Sequence, residues 1–160
     1  MNKAILNGLR VLDFTWMLAG PYATRILADF GAEVIKIQSK KTAKGVESNL
    51  TGYFNNWNRS KRGITLDMSY SEAKEIVLEL TRISDVVIEN FSPRVMTNWG
   101  LNYNKLSEVN SNLIMVSMSA MGQTGPWRDF VAFGPTLQAL SSLTYLTSFS
   151  EEAPMGLGYA

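Results

Sequence analysis

The stretch spanning residues 10–37 constrains the fold more than any other. Residues 10–14 (RVLDF) form an apolar, β-branched run, the loop TWMLAG leads into Pro21, and residues 22–30 have helical character. After Gly31 comes a second apolar run, EVIKI, over residues 33–37. Proline suits a first helical turn because the N–H groups there have no partner. Glycine suits the left-handed residue that ends a helix. Strand, helix and strand in so short a span predict a βαβ unit with parallel strands and a right-handed crossover. Ile26, Leu27 and Phe30 give that helix an apolar side.

The alternation continues downstream. ITLDM (64–68) is a short extended piece, and Ser69-Tyr70-Ser71-Glu72 has the form of a capping box opening a helix that runs through Ile83. Ala73, Ile76, Val77, Leu80 and Ile83 share one face of that helix at spacings of three and four. DVVIE (85–89) predicts the next buried strand. PRVMTNWG predicts a short helix closed by Gly100, YNKLSEVN another helix, and NLIMVSMS a last strand. GQTGP (122–126) is a turn, and residues 136–145 are predicted helical. Alternating strands and helices without repeat or linker predict one α/β domain, a doubly wound, mostly parallel Rossmann-like sheet.

The 160 residues contain no histidine and no cysteine. That excludes Ser-His-Asp and Cys-His nucleophiles, thiolate or imidazole zinc sites and disulfides. Catalysis by such a chain would use carboxylates, lysine, tyrosine, hydroxyls or backbone dipoles. No apolar run approaches the roughly 18 to 20 residues of a membrane span, and the N-terminus lacks a signal peptide's long apolar core. The expectation is a cytoplasmic chain without membrane or nucleic-acid partners, carrying 15 basic residues against 14 acidic ones.

In an open parallel sheet, ligands bind beyond the carboxyl ends of the strands, so TWMLAGP, ENFSPR and SAMGQTGP are the candidate site loops. The first offers backbone N–H groups at a helix N-terminus, with Ala19 and Gly20 allowing close approach. Neither the dinucleotide pattern G-x-G-x-x-G nor the P-loop is present. Residues 36–62 hold seven basic residues (Lys36, Lys40, Lys41, Lys44, Arg59, Lys61 and Arg62) against one acid, Glu47. A solvated loop is one reading. The interleaved Tyr53, Phe54, Asn55, Asn56, Trp57 and Asn58 support another, a surface for a phosphorylated ligand with a stackable ring. Asn90 would hold a ligand amide or pyrophosphate, or form an Asx turn. Arg94 would do likewise or remain a surface residue. Asp13 reads as a loop brace accepting backbone N–H bonds in preference to a carboxylate catalyst, and the four tryptophans as packing residues.

Taken in order, GLRVLDFTWMLAGPYATRILADFGAEVIKI, NRSKRGITLDM, DVVIENFSPRVMTNWGL and IMVSMSAMGQTGPWRDF closely resemble the N-terminal part of the class III CoA-transferases. That family includes formyl-CoA, carnitine and benzylsuccinate CoA-transferases and α-methylacyl-CoA racemase. The resemblance runs from about Leu6 to Ala160. It implies transfer of coenzyme A from an acyl-CoA to a carboxylic acid, with coenzyme A as substrate and no tightly bound cofactor. It implies CoA contacts from Leu18 and Ala19 in the first loop, from Lys61 in the N-x-x-K-R run, and from Asn90 and Phe91 with Arg94 nearby. Where the family often places an arginine after the second strand, this chain has Ser39, so Lys40 or Lys41 would meet the phosphates.

The resemblance also implies an aspartate nucleophile a few residues beyond the segment matching PMGLGYA, outside this chain, so no residue here is expected to be the nucleophile. The chain, residues 1–160, would be the N-terminal part of the CoA-binding domain of a longer enzyme, with the rest of the family fold absent. Full-length members form interlocked homodimers, so a complementing C-terminal chain is a further implied partner. The racemase branch needs a histidine at or near Phe133 and is disfavoured. The remaining alternative is a non-catalytic CoA-binding or assembly module.

Overall fold

The computed structural model describes residues 4–149 and 152–157. Residues 158–160 of the closing GLGYA segment lie outside the described residues. Five parallel strands form one sheet: β1 (Arg10–Asp13), β2 (Glu33–Gln38), β3 (Arg62–Thr65), β4 (Val86–Glu89) and β5 (Ile114–Ser117). Their spatial order is β3-β2-β1-β4-β5. The order reverses between β1 and β4, and the crevice beyond their carboxyl ends is where such sheets bind ligands.

The helices between them are α1 (Ala19–Asp29), α2 (Gly52–Asn58), α3 (Ser71–Arg82), α4 (Arg94–Trp99) and α5 (Tyr103–Val109), followed by α6 (Gly134–Leu140) and α7 (Leu143–Leu146). A 3-10 turn covers Gly45–Glu47. Val11, Val34, Val86 and Ile88 point to the face covered by α1. Leu12, Ile37 and Val87 point to the other, where they pack with Val77, Met96, Leu101 and Leu106. Central strands buried on both faces read as continuous apolar runs, which is why RVLD and VVIE were legible. The α/β expectation holds.

Several local expectations need correction. In α1 the buried side carries Gly20, Thr24 and Ala28, whereas Ile26 and Phe30 are exposed. Small residues at i, i+4 and i+8 let the helix lie close on the sheet, and that geometry overrides apolar content. The capping box does not form. Ser69 donates both its N–H and its hydroxyl to Asp67 Oδ1 (3.0 and 2.7 Å), so α3 starts one residue later, at Ser71, with Tyr70 as its N-cap. Of the expected α3 face, Ala73 and Val77 are buried while Ile76 and Ile83 are exposed. The helix expected over 136–145 is two helices, broken at Ser142, whose φ is +62°.

The basic segment also contains a helix. Thr51 Oγ1 caps α2 by accepting from Phe54 N at 3.1 Å. Trp57 of α2 packs edge-on to Tyr22 of α1 (5.6 Å between ring centroids), with the Arg25 guanidinium over both rings. Among the described residues no helix is long and apolar enough to cross a membrane.

Candidate functional site

Register places Asp13 at the end of β1 directly beside Lys36 of β2. Side-chain alternation sends both to the α1 face, among buried groups. The Asp13 carboxylate accepts Thr15 N (2.8 Å), Thr15 Oγ1 (2.5 Å), Thr24 Oγ1 (2.7 Å) and Lys61 Nζ (3.0 Å). Lys36 Nζ lies 3.8 Å from it. Burial alone would raise the Asp13 pKa, but the two ammoniums and the threonine hydroxyls outweigh it and hold the carboxyl below its ordinary value. Burial pulls Lys61 down to about 8 against the attraction of Asp13, and lowers Lys36 as well.

This buried cluster fixes the β1–α1 loop. Lys36 Nζ donates to Thr15 O. Asn90, one residue past β4, accepts from Trp16 N and donates to Trp16 O, both at 2.9 Å, as a neighbouring strand would. Glu47, delivered by the 3-10 turn and only 5% exposed, accepts from Met17 N at 3.0 Å. Met17 takes φ +64°, a left-handed conformation that a side chain with a Cβ disfavours. It persists because its neighbours over-determine it. Burial raises the Glu47 pKa, with Lys36 and the Met17 N–H opposing. The β4–α4 loop is braced in the same way as the first: Glu89 accepts from Phe91 N at 2.7 Å, two residues on, as Asp13 does from Thr15.

Two cavities open around these loops, and Trp16, Phe91 and Val95 belong to the walls of both. The first, about 600 Å³, lies over the ends of β1, β2 and β3 and is charged, with Lys36, Lys41, Lys74, Glu47 and Asp67 in its wall. The second, about 390 Å³, lies at the β1/β4 reversal point, walled by residues 16–19, 90–92 and 130–134 with Leu137, and among the described residues no charged one lines it. Both volumes fall in the range of ligand pockets.

Residues 6–160 match CoA-transferase family III. The chain belongs to that family. The succinyl-CoA–L-malate CoA-transferase alpha subunit of Chloroflexus aurantiacus is 38% identical over 164 residues, an alignment covering 97% of this chain and 38% of that protein. The acetyl-CoA:oxalate CoA-transferase of Acetobacter aceti is 37% identical over 162 residues, covering 98% of this chain and 42% of the relative. Among solved structures, a CAIB/BAIF family protein from Brucella suis superposes with a TM-score of 0.90 at 32% identity, covering 98% of this chain and 44% of that one. The Rv3272 protein of Mycobacterium tuberculosis gives 0.87 at 36% identity, covering 96% of this chain and 44% of its own. The chain thus spans about two fifths of the length of the curated relatives it matches.

Of the residues the family resemblance singles out, the structure gathers Leu18, Ala19, Asn90 and Phe91 on the second cavity. Lys41 lies on the first, and Phe91 serves both. Lys40 is exposed and lines neither. Arg94 is exposed on the outer side of α4, its Nε 3.9 Å from Asp129. The Lys61 side chain is 1% exposed, and its ammonium meets Asp13, Thr24 Oγ1, Asn58 Oδ1 and Pro21 O. Its role in the fold is to seat α1 and the first loop. Asn90 forms neither an Asx turn nor a free amide, because both ends of its carboxamide bind Trp16. Gly20 packs closely on Thr15 and lines neither cavity. The loop-brace reading of Asp13 holds.

Glu47, Lys74 and Trp16 were not singled out by sequence as site residues, and Lys36 was read only as one member of the basic run. A lysine inside the apolar run EVIKI was the one available signal, since a buried strand carries a charge only when the fold pairs it. Asn90→Ala is expected to cost about 1 to 2 kcal/mol, because two partly buried backbone groups of Trp16 lose their partner. Faster amide exchange confined to residues 15–18 would show the loosened loop, and unchanged exchange there would refute the clamp.

Proposed function

We propose that this chain is the CoA-binding part of an enzyme that transfers coenzyme A from an acyl-CoA to a carboxylic acid. The carrying observation is the pair of contiguous cavities of opposite character at the strand-order reversal. Coenzyme A joins a polyanionic nucleotide to a long, uncharged thiol arm. The charged cavity suits the nucleotide end, with Lys41 and Lys74 as phosphate partners and Lys40 at the rim, where Ser39 offers no charge. The uncharged cavity suits the arm and its thioester, bordered by Leu18, Ala19, Asn90 and Phe91. Arg94, at the start of α4, adds a cation at the outer edge. Lys61 acts on the ligand through the loop it seats.

Such transfer runs through an enzyme carboxylate: it attacks the thioester carbonyl, giving a mixed anhydride and releasing CoA thiolate. The thiolate then attacks the enzyme acyl carbon, releasing the first acid and leaving an enzyme thioester that the acceptor carboxylate resolves. No aspartate or glutamate lines the uncharged cavity among the described residues. Glu47 is held by Met17 N, and Asp67, lowered to about 2 by Ser69 and Lys41, is already bonded. The nucleophile is therefore proposed to lie beyond this chain, in a continuation of it or in a complementing chain, with carboxylic acids as second substrates and a dimer as the working assembly.

Calorimetric titration of the 160-residue chain with CoA should show micromolar binding, weakened about tenfold in a Lys41→Ala/Lys74→Ala variant and steeply with salt. Turnover of acyl-CoA and carboxylate by the chain alone would overturn the placement of the nucleophile. Transfer gained on adding the continuation would separate the enzyme from a stand-alone binding module.

A further inference from the structure

We propose that the uncharged cavity selects acyl groups with an aromatic or alkyl tail over those carrying a second carboxylate, and that Trp16 and Phe133 set this choice. The inference rests on the reading that the CoA thioester enters that cavity. The cavity wall itself carries it. Trp16 and Phe133 face each other edge to face, 6.5 Å between ring centroids, from the β1–α1 loop and from the residue preceding α6. Phe130, Leu137 and Met118 continue the apolar surface. Phe133 as a residue is 51% exposed and lines the cavity, so it offers aromatic surface to the space a ligand would fill.

Among the described residues, the polar groups that could receive a second carboxylate are either engaged or outside. The Asn90 carboxamide binds Trp16 at both ends, leaving Ser92 as the one side-chain hydroxyl that the described wall offers. Arg94 and Arg128 both lie near Asp129 (3.9 and 3.4 Å) and neither lines the cavity. Placing a carboxylate there would remove its hydration and return no cation from the described wall. A phenyl ring loses nothing on entry and gains the contact of two aromatic neighbours. A volume near 390 Å³ accommodates such a ring together with the end of the thiol arm.

The test is a set of titrations of the 160-residue chain, followed by tryptophan emission and calorimetry, with CoA, 3-phenylpropionyl-CoA and succinyl-CoA. The phenylpropionyl thioester should bind about tenfold or more tightly than the succinyl thioester. Phe133→Arg, which supplies the missing cation at a half-exposed position, should reverse that order. Equal affinities for the two thioesters, or tighter succinyl binding by the unaltered chain, would overturn the selectivity while leaving the CoA site standing. Failure of CoA itself to bind would overturn the underlying site reading and the selectivity with it. The comparison within the unaltered chain decides even if Phe133→Arg does not fold.

Discussion

Asp13→Ala should lower the stability of the domain by about 3 to 5 kcal/mol, the usual consequence of removing one member of a buried ion pair. The Asp13 side chain is fully buried, and Lys61 and Lys36 beside it are 1% and 4% exposed. Without the carboxylate, two ammoniums would face each other in a dry site, and two threonine hydroxyls and the Thr15 N–H would lose their acceptor. At roughly 2 to 4 °C per kcal/mol for a domain near this size, the melting temperature should fall by about 6 to 20 °C. Glu108→Ala, which breaks the exposed Lys105–Glu108 pair, should cost no more than about 0.5 kcal/mol. The double variant Asp13→Asn/Lys61→Met should recover much of the loss, since neutral replacement of both partners leaves only the Lys36 ammonium, which Glu47 still offsets. The same carboxylate dictates an acid limb. Its folded pKa lies below its ordinary 3.8, so its contribution is whole above that pH and is lost as pH falls through the folded value. Equal melting points for Asp13→Ala and Glu108→Ala would show that the cluster holds nothing in place.

The central strands β1 and β4 were legible because they are buried and read as mostly apolar runs, whereas the edge strand β3 is exposed and covers Arg62–Thr65 where residues 64–68 were expected. Gly100 ends α4 in the left-handed conformation, φ +72°, that a glycine at that place announces. The buried face of α1 was not legible. Its sequence offers Ile26, Leu27 and Phe30 as the apolar side, yet of these Leu27 alone packs against the sheet, beside the buried Gly20, Thr24 and Ala28, because closeness to β1 and the Asp13 cluster matters more there than side-chain bulk. Nor was α2, a seven-residue helix of GYFNNWN with little intrinsic propensity. It stands because Trp57 packs on Tyr22 and the Arg59 guanidinium meets Asp29 at 2.7 Å, tertiary contacts that no periodicity encodes.

The candidate site divides along the same line. Leu18, Ala19, Asn90 and Phe91 lie in loops that directly follow central strands, so topology alone brings them to one rim. Glu47 reaches Met17, 30 residues earlier in the chain, only because the 3-10 turn folds back over β2, where Gln38 Nε2 donates to Glu47 O at 2.7 Å. Of the basic run expected to bind phosphate, the two most buried lysines, Lys36 and Lys61, became internal braces. Charge density in sequence does not separate cations that face solvent from those that hold a loop; strand register does.

Gly20→Ala makes the same point with the opposite sign from helix propensity. Alanine in the first turn of α1 would ordinarily stabilise by up to about 1 kcal/mol. A Cβ on Gly20, however, would stand 2.3 Å from Thr15 Cβ and 2.4 Å from its Cγ2. Thr15 cannot yield by rotating, because one clashing atom is its own Cβ. Nor can its backbone move freely, held as it is by Asp13 at the N–H and Lys36 at the carbonyl. Relief must come from lifting the first turn of α1 or displacing the loop, which moves Met17, Leu18 and Ala19 and the wall they give the uncharged cavity. Overpacking of this kind costs about 1 to 3 kcal/mol, and the rigidity of both partners places this site at the upper end. CoA affinity should fall along with the melting temperature. Gly52→Ala, where a Cβ meets nothing within 4 Å, should be neutral or slightly stabilising. In the background of Gly20→Ala, Thr15→Gly removes the opposing atoms and should restore CoA affinity in part, while Thr15→Ala, which keeps the Cβ, should not. A Gly20→Ala protein as stable as its parent, with CoA binding intact, would mean that the loop yields where the hydrogen bonds say it is fixed.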